Sequence, residues 1–159
     1  MALTRINNQA LTNITSAGLP SGTVLQVVTA TTGTQATVTG QSTTDTGLQV
    51  SITPSSTSNK VFVTTSFNGG GDSAGSGAFF YLFRDSTVLM GQGGDYTSSG
   101  GASYSSHALT YLDSPSTTSS VTYKLRYLNQ SASGVTRFNT DYSNVSGELA
   151  TITVMEIAG

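Results

Sequence analysis

The chain has 159 residues, of which 51 are Ser or Thr, only 9% are charged, and none is Cys; its net charge is −2. So few charges cannot supply the long solvated faces of a helical bundle or coiled coil, which excludes an all-helical fold. Leu, Ile, Val and Phe still make up about a fifth of the chain, arranged in alternating runs, so a modest core is expected rather than a disordered chain.

The first 22 residues, MALTRINNQALTNITSAGLPSG, hold no sustained period and close on Gly18, Pro20 and Gly22. They predict an extended arm with apolar anchors at Leu3, Ile6, Leu11 and Ile14, followed by a folded domain over residues 23–159. One Arg and no long apolar run predict no secretory signal there, and no run of 18 apolar residues predicts a transmembrane helix.

From Thr23 the pattern is strands and turns. Thr23–Thr31 is rich in Val and Thr. Leu48, Val50 and Ile52 alternate with polar residues, and Pro54 ends that run. Lys60–Phe67 sets Val61, Val63 and Phe67 on one face. Phe79–Arg84 and Thr87–Met90 flank Asp85-Ser86, a hairpin connection. Ser106–Leu112, Val121–Leu128, Val135–Thr140 and Glu148–Ile157 complete the set. Eight to ten short strands predict an all-β fold: an antiparallel β-sandwich or jelly-roll with an extended N-terminal arm. Two Gly/Ser-rich stretches, 68–77 and 91–106, predict surface loops, because Gly weakens a strand interior.

Few residues suit catalysis. His107 is the sole histidine, and its strand face is shared with Leu109 and Tyr111, which predicts a packed or interface histidine. Without Cys, thiolate sites and disulfides are excluded, and one His cannot assemble a zinc site. Asp72 and Asp95 stand in the Gly-rich stretches but outside any dense calcium-loop pattern. GGGDSAGSG has no following Lys or helix, so it is no phosphate loop. No cofactor, no metal and no enzymatic activity are expected, and six basic residues argue against nucleic-acid binding. Tyr96 and Tyr104, with Asp72 and Asp95, are instead the candidates for surface recognition, since tyrosines amid Ser and Gly make an adaptable surface with rigid anchors.

Two strands carry more apolar surface than one solvated face allows: one as a single large stripe, the other on both faces. In Val121–Leu128, Val121, Tyr123, Leu125 and Tyr127 form one stripe. In Glu148–Ile157, Ala150, Ile152 and Val154 oppose Leu149, Met155 and Ile157. A single small core cannot cover both sides, so Tyr123, Tyr127, Met155 and Ile157 are expected at an interface between copies. Glu156 is expected at a solvated rim or paired with Arg or Lys.

The stretches ALTRINNQALTNITSAGLPSGTVLQV, SITPSSTSNKVFV with FYLFRDSTVL, and YLDSPSTTSSVTYKLRY with TITVMEIAG resemble those of small virion structural proteins of marine tailed bacteriophages, the cyanophage type, usually labelled tail-fibre or structural proteins. The resemblance covers most of the chain and departs at 68–77 and 91–106. It implies a trimeric β-sandwich module, similar in architecture to tumour-necrosis-factor-like and fibre-knob trimers. It further implies that the arm docks on other capsid or tail proteins and that the variable loops face outward. Assembly in the bacterial cytoplasm follows from the same resemblance. Two roles fit: a tail-fibre or spike tip binding a host surface glycan, or a decoration protein on the capsid.

Overall fold

Alternating apolar residues fold here into two antiparallel sheets packed face to face. The structure, a computed structural model, describes residues 19–96, 100–140 and 148–159. Its strands are β1 (Val24–Thr32), β2 (Ala36–Thr39), β3 (Thr44–Ile52), β4 (Lys60–Gly71), β5 (Gly77–Arg84), β6 (Thr87–Tyr96), β7 (Ser103–His107), β8 (Thr110–Asp113), β9 (Val121–Asn129), β10 (Val135–Phe138) and β11 (Ala150–Ile157). One sheet runs β1-β11-β4-β10-β2, with β7 and β8 also paired to β4; the other runs β3-β9-β5-β6. The expected all-β antiparallel sandwich is the fold.

The count exceeds the expected ten for two reasons. β2 is too short for its alternation to show in the sequence. The expected strand Ser106–Leu112 is divided, with His107 ending β7 and Thr110 opening β8. Leu109 bridges the gap: its carbonyl accepts from the Thr65 amide at 2.9 Å and its amide donates to Thr65 Oγ1 at 3.0 Å. The hairpin at Asp85-Ser86 is present, with Arg84 opposite Thr87 and Asp85 in the left-handed region at φ 51°.

The core lies between the sheets. Val61, Val63, Phe67, Ile152 and Val154 come from one sheet, and Leu48, Val50, Phe80, Leu82 and Leu125 from the other. Toward one end the packing turns aromatic. Phe67 and Phe80 meet edge to face at 4.8 Å, and Phe138 stands 5.7 Å from Phe67, a geometry that adds to the stabilisation from burial alone.

The Gly-rich stretches are not simply loops. β4 runs through Asn68–Gly71, β6 through Gly91–Tyr96, and β7 includes Tyr104. Their glycines stand where another group occupies the space of a side chain. A Cβ on Gly69 would come within 2.7 Å of the Arg137 carbonyl and 2.9 Å of the Phe80 ring. The entropic penalty of Gly in a strand is offset by this close approach of neighbouring strands.

Glu156 departs from its expected place at a solvated rim. It is 1% exposed, on the inward register of β11, and among the described residues no Lys or Arg pairs with it. Its carboxylate accepts from Gln26 Nε2 at 2.6 Å, the Ser55 amide at 2.6 Å, Ser55 Oγ at 2.8 Å and Asn59 Nδ2 at 2.6 Å. Burial alone would raise its pKa, but these hydrogen bonds outweigh burial and hold the carboxyl below its ordinary value. A second buried acid, Asp113, is paired with Arg84 at 2.7 Å and accepts from the Tyr123 hydroxyl at 2.7 Å.

Candidate functional site

Because side chains alternate across a strand, the residues between the core positions of β1, β11, β4 and β8 all point away from the core. Register aligns them into rows. Val27 lies opposite Met155, Met155 opposite Phe62, and Phe62 opposite Leu112. Val24 and Ile157 pair beside this row. Val27, Leu112 and Val24 are 54%, 50% and 49% exposed, and Phe62, Met155 and Ile157 are half-buried. Four strands at about 4.8 Å spacing make an apolar band roughly 15 Å across. The next row is Thr29, Thr153, Thr64 and Thr110, with Thr29 and Thr153 hydroxyls 3.0 Å apart. Lys60 is the one charged residue on this face of the four strands.

The structure thus brings Met155 and Ile157 together on an outward surface. Tyr123 and Tyr127 are not there. They are 0% and 1% exposed within one chain, so the stripe they belong to faces the other sheet and not another copy. Burial, aided by the hydrogen bond to Asp113, raises the Tyr123 hydroxyl pKa well above its ordinary value. Burial pushes Tyr127 up to about 12. The partners of Met155 in the apolar row, Val27, Phe62 and Leu112, were missed by sequence reasoning. For Phe62 the signal was present in Lys60–Phe67, where it sits between the inward Val61 and Val63.

The expected recognition residues gather at one end of the sandwich but do different things. Asp72 follows the end of β4, whose last residues pair with β7 on one side and β10 on the other. That placement sets it between Tyr104 and Arg137. The Tyr104 hydroxyl donates a short hydrogen bond to Asp72 Oδ1, and Arg137 Nη2 donates to Asp72 Oδ2 at 2.8 Å. The Arg137 hydrogen bond, opposed by burial and supported by Tyr104, holds the Asp72 carboxyl below its usual range. Burial, with the Asp72 hydrogen bond, raises the Tyr104 pKa far above its ordinary value. Tyr104 is therefore half-buried and engaged in tying β7 and β10 to the end of β4, unlike the exposed anchor expected. Tyr96, at the end of β6, is 58% exposed and open to solvent. The side chain of Asp95 lies outside the described residues, as do the arm anchors Leu3, Ile6, Leu11 and Ile14.

His107 is packed, as expected. It is stacked on Phe67 at 5.5 Å and lies 5.0 Å from Phe80, and its Nε2 donates to the Gly69 carbonyl at 3.1 Å. Among the described residues no group of three or more His, Cys, Asp or Glu side chains could hold a metal ion.

No family model matches the chain, and no curated protein matches it. Among solved structures it is similar to a chain of the infectious bursal disease virus Gt strain, at 14% identity and a TM-score of 0.45 over 87% of this chain and 39% of that one. It is similar to the infectious bursal disease virus VP2 subviral particle at 13% identity and a TM-score of 0.40, over 84% of this chain and 38% of that one. Dimeric latent PorU from Porphyromonas gingivalis is similar at 10% identity and a TM-score of 0.35, over 91% of this chain and 14% of that one. The chain spans about two fifths of the length of the viral chains and about a seventh of PorU. Likenesses this distant decide no function.

Proposed function

We propose that the chain is a structural, non-enzymatic module of a bacteriophage particle that associates as a homotrimer through the outer face of β1, β11, β4 and β8. The apolar row Val27–Met155–Phe62–Leu112 carries this reading. Solvated antiparallel sheets place polar residues outward, and an exposed apolar band bordered on one side by a row of Thr is the composition of a covered surface. Closed symmetry satisfies such a surface without leaving a free copy of it, and the resemblance to phage structural proteins selects three copies. In this reading residues 1–22 tether the module to the particle. Gly22 and Thr23 bond Ala158, at 2.8 and 2.9 Å, beside the Val24–Ile157 pair. The module then acts as a tail-fibre or spike tip contacting the host surface.

Light scattering on the purified chain tests the assembly. A mass of about 49 kDa, three times the 16.3 kDa chain, is expected of a closed trimer. A stable 16.3 kDa species overturns it. Deletion of residues 1–20 is expected to leave a folded sandwich that no longer joins the particle; a deletion variant that still joins removes the tether from the account. Counting copies per particle separates the fibre from the decoration protein, since a count matching the capsid lattice assigns the chain to the shell.

A further inference from the structure

The outer face of the second sheet is built differently. Along β5, Phe79, Tyr81 and Phe83 alternate with the core residues Ala78, Phe80 and Leu82, so all three point away from the core. On the β6 side they meet glycines: Gly93 is opposite Phe79 and Gly91 opposite Tyr81. A Cβ on Gly91 would come within 2.7 Å of the Tyr81 ring, and one on Gly93 within 3.3 Å of the Phe79 ring. The rings are thus seated in the space that side chains on β6 would otherwise fill. Phe79 and Tyr81 lie 24° from parallel with centroids 6.5 Å apart, and both are half-buried.

Polar groups rim this pair of rings. From β9, Arg126 lies opposite Tyr81 and Lys124 opposite Phe83. The Arg126 guanidinium stands 5.0 Å over the Phe83 ring, 3.1 Å from Asp45, and donates to the Thr43 carbonyl at 2.8 Å. It closes one end of the stripe over Phe83, which is 7% exposed. Lys124 reaches Asp45 at 3.7 Å. Gln49 of β3 lies opposite Lys124, beside the paired hydroxyls of Ser51 and Thr122.

We propose that Phe79 and Tyr81 form a stacking platform for an oligosaccharide, with Asp45, Lys124 and Gln49 as hydrogen-bonding partners for its hydroxyls. A sugar ring presents an apolar C–H face and a polar rim, which matches near-parallel aromatic rings bordered by a carboxylate, an ammonium and an amide. The surface suits the alternatives poorly. Asp45 offsets half of the charge of Lys124 and Arg126, and the single positive charge left is short of the row of cations that a nucleic-acid backbone requires. A second copy of the chain would leave these charged groups buried without new partners. This inference deepens the host-contact part of the reading above, but the platform is complete within one chain and does not need the trimer.

The test is titration of the full chain with cellohexaose, chitohexaose and hexagalacturonate, followed by calorimetry and by NMR shifts of the aromatic resonances. At least one probe is expected to bind and to move Phe79 and Tyr81 while leaving Tyr96 in place. Tyr81→Ala is expected to weaken that binding about tenfold, the scale of one aromatic contact, and Tyr81→Phe, which keeps the ring, to change it less than about twofold. Should Tyr81→Ala fail to fold, shift mapping on the native chain decides by location. Absence of binding by all three probes, shifts that map away from β5, or unchanged affinity in folded Tyr81→Ala overturns the proposal. A monomer that binds sugar keeps the platform and removes the assembly; a trimer that binds none does the reverse.

Discussion

The two outer faces of the sandwich start from the same rule and end differently. In both sheets one register is committed to the shared core, where Val61, Val63, Ile152 and Val154 meet Leu48, Phe80, Leu82 and Leu125. The opposite register is free of that constraint. On one sheet it holds aliphatic residues, Phe62 and rows of Thr, with Lys60 the one outward-facing charge on β1, β11, β4 and β8. On the other it holds Phe79, Tyr81 and Phe83 over glycines, bordered by Asp45, Lys124 and Arg126. The first surface offers little beyond apolar contact and hydroxyls, which suits a broad match to another copy. The second offers ring faces with separate polar groups, which suits a small ligand having one apolar and one polar aspect. In a chain with 9% charge, placing three charged side chains around one aromatic stripe is what distinguishes the two.

Both faces hang on the same core, so the largest expected effect removes them together. Asp113→Ala strands Arg84 and the Tyr123 hydroxyl at the core's edge, and breaking a largely buried pair costs about 3 kcal/mol or more. Denaturant unfolding is expected to show that loss, with self-association and sugar binding weakened in parallel; loss of one without the other would mean the faces do not share this core. Next is the acid dependence set by Glu156. Its pKa is lowered in the folded chain, so its contribution is complete above the ordinary carboxylate value and is lost as pH falls below that value through the lowered one. Glu156→Gln is expected to cost on the order of 2 kcal/mol at neutral pH, because hydrogen bonds to a charged acceptor are replaced by weaker ones. It is also expected to flatten the decline in stability on acidification. An unchanged urea midpoint at neutral pH would show that the four donors find other acceptors.

The remaining changes act on one face at a time. Val27→Lys with Leu112→Lys is expected to shift the scattering mass to that of one chain while sugar binding persists, since both positions are exposed and outside the core. A trimer that survives both lysines places its interface elsewhere. The smallest effect is expected at Tyr96→Ala, within about 0.5 kcal/mol in stability, as for other exposed substitutions, and without effect on the mass. A marked loss of stability there would show that this side chain packs against Gly77 more closely than its exposure indicates.

Much of the fold was legible because period-two alternation is a local signal. Lys60–Phe67 could be assigned with its inward residues correct, and Met155 and Ile157 could be set on the face opposite Ile152 and Val154. What alternation cannot say is which of two apolar faces meets the chain's own second sheet. Tyr123 and Tyr127 form a strong apolar stripe that by alternation alone reads as an interface; in the fold that stripe fills the core. The glycines of β4 and β6 misled in a related way. Local propensity counts them against a strand, but their role is set by Arg137 and Tyr81 across a ladder and by Phe80 from the opposing sheet, contacts that local propensity does not contain. Glu156 was misplaced because its partners, Gln26, Ser55 and Asn59, are neutral and up to 130 residues away. The aromatic outer register of β5 was readable, since every residue from Phe79 to Phe83 is apolar, but the glycine floor that seats those rings was not.

The claim that one outer face is covered by copies of the chain while the other stays open is tested most directly by hydroxyl-radical footprinting of the native protein, read side chain by side chain. The account predicts that Val27, Met155, Phe62 and Leu112 are protected relative to the same protein diluted to monomer, while Tyr81, Phe79 and Tyr96 are modified equally in both. Modification of the Val27–Leu112 row at the same rate as Tyr96, whatever the concentration, would contradict it.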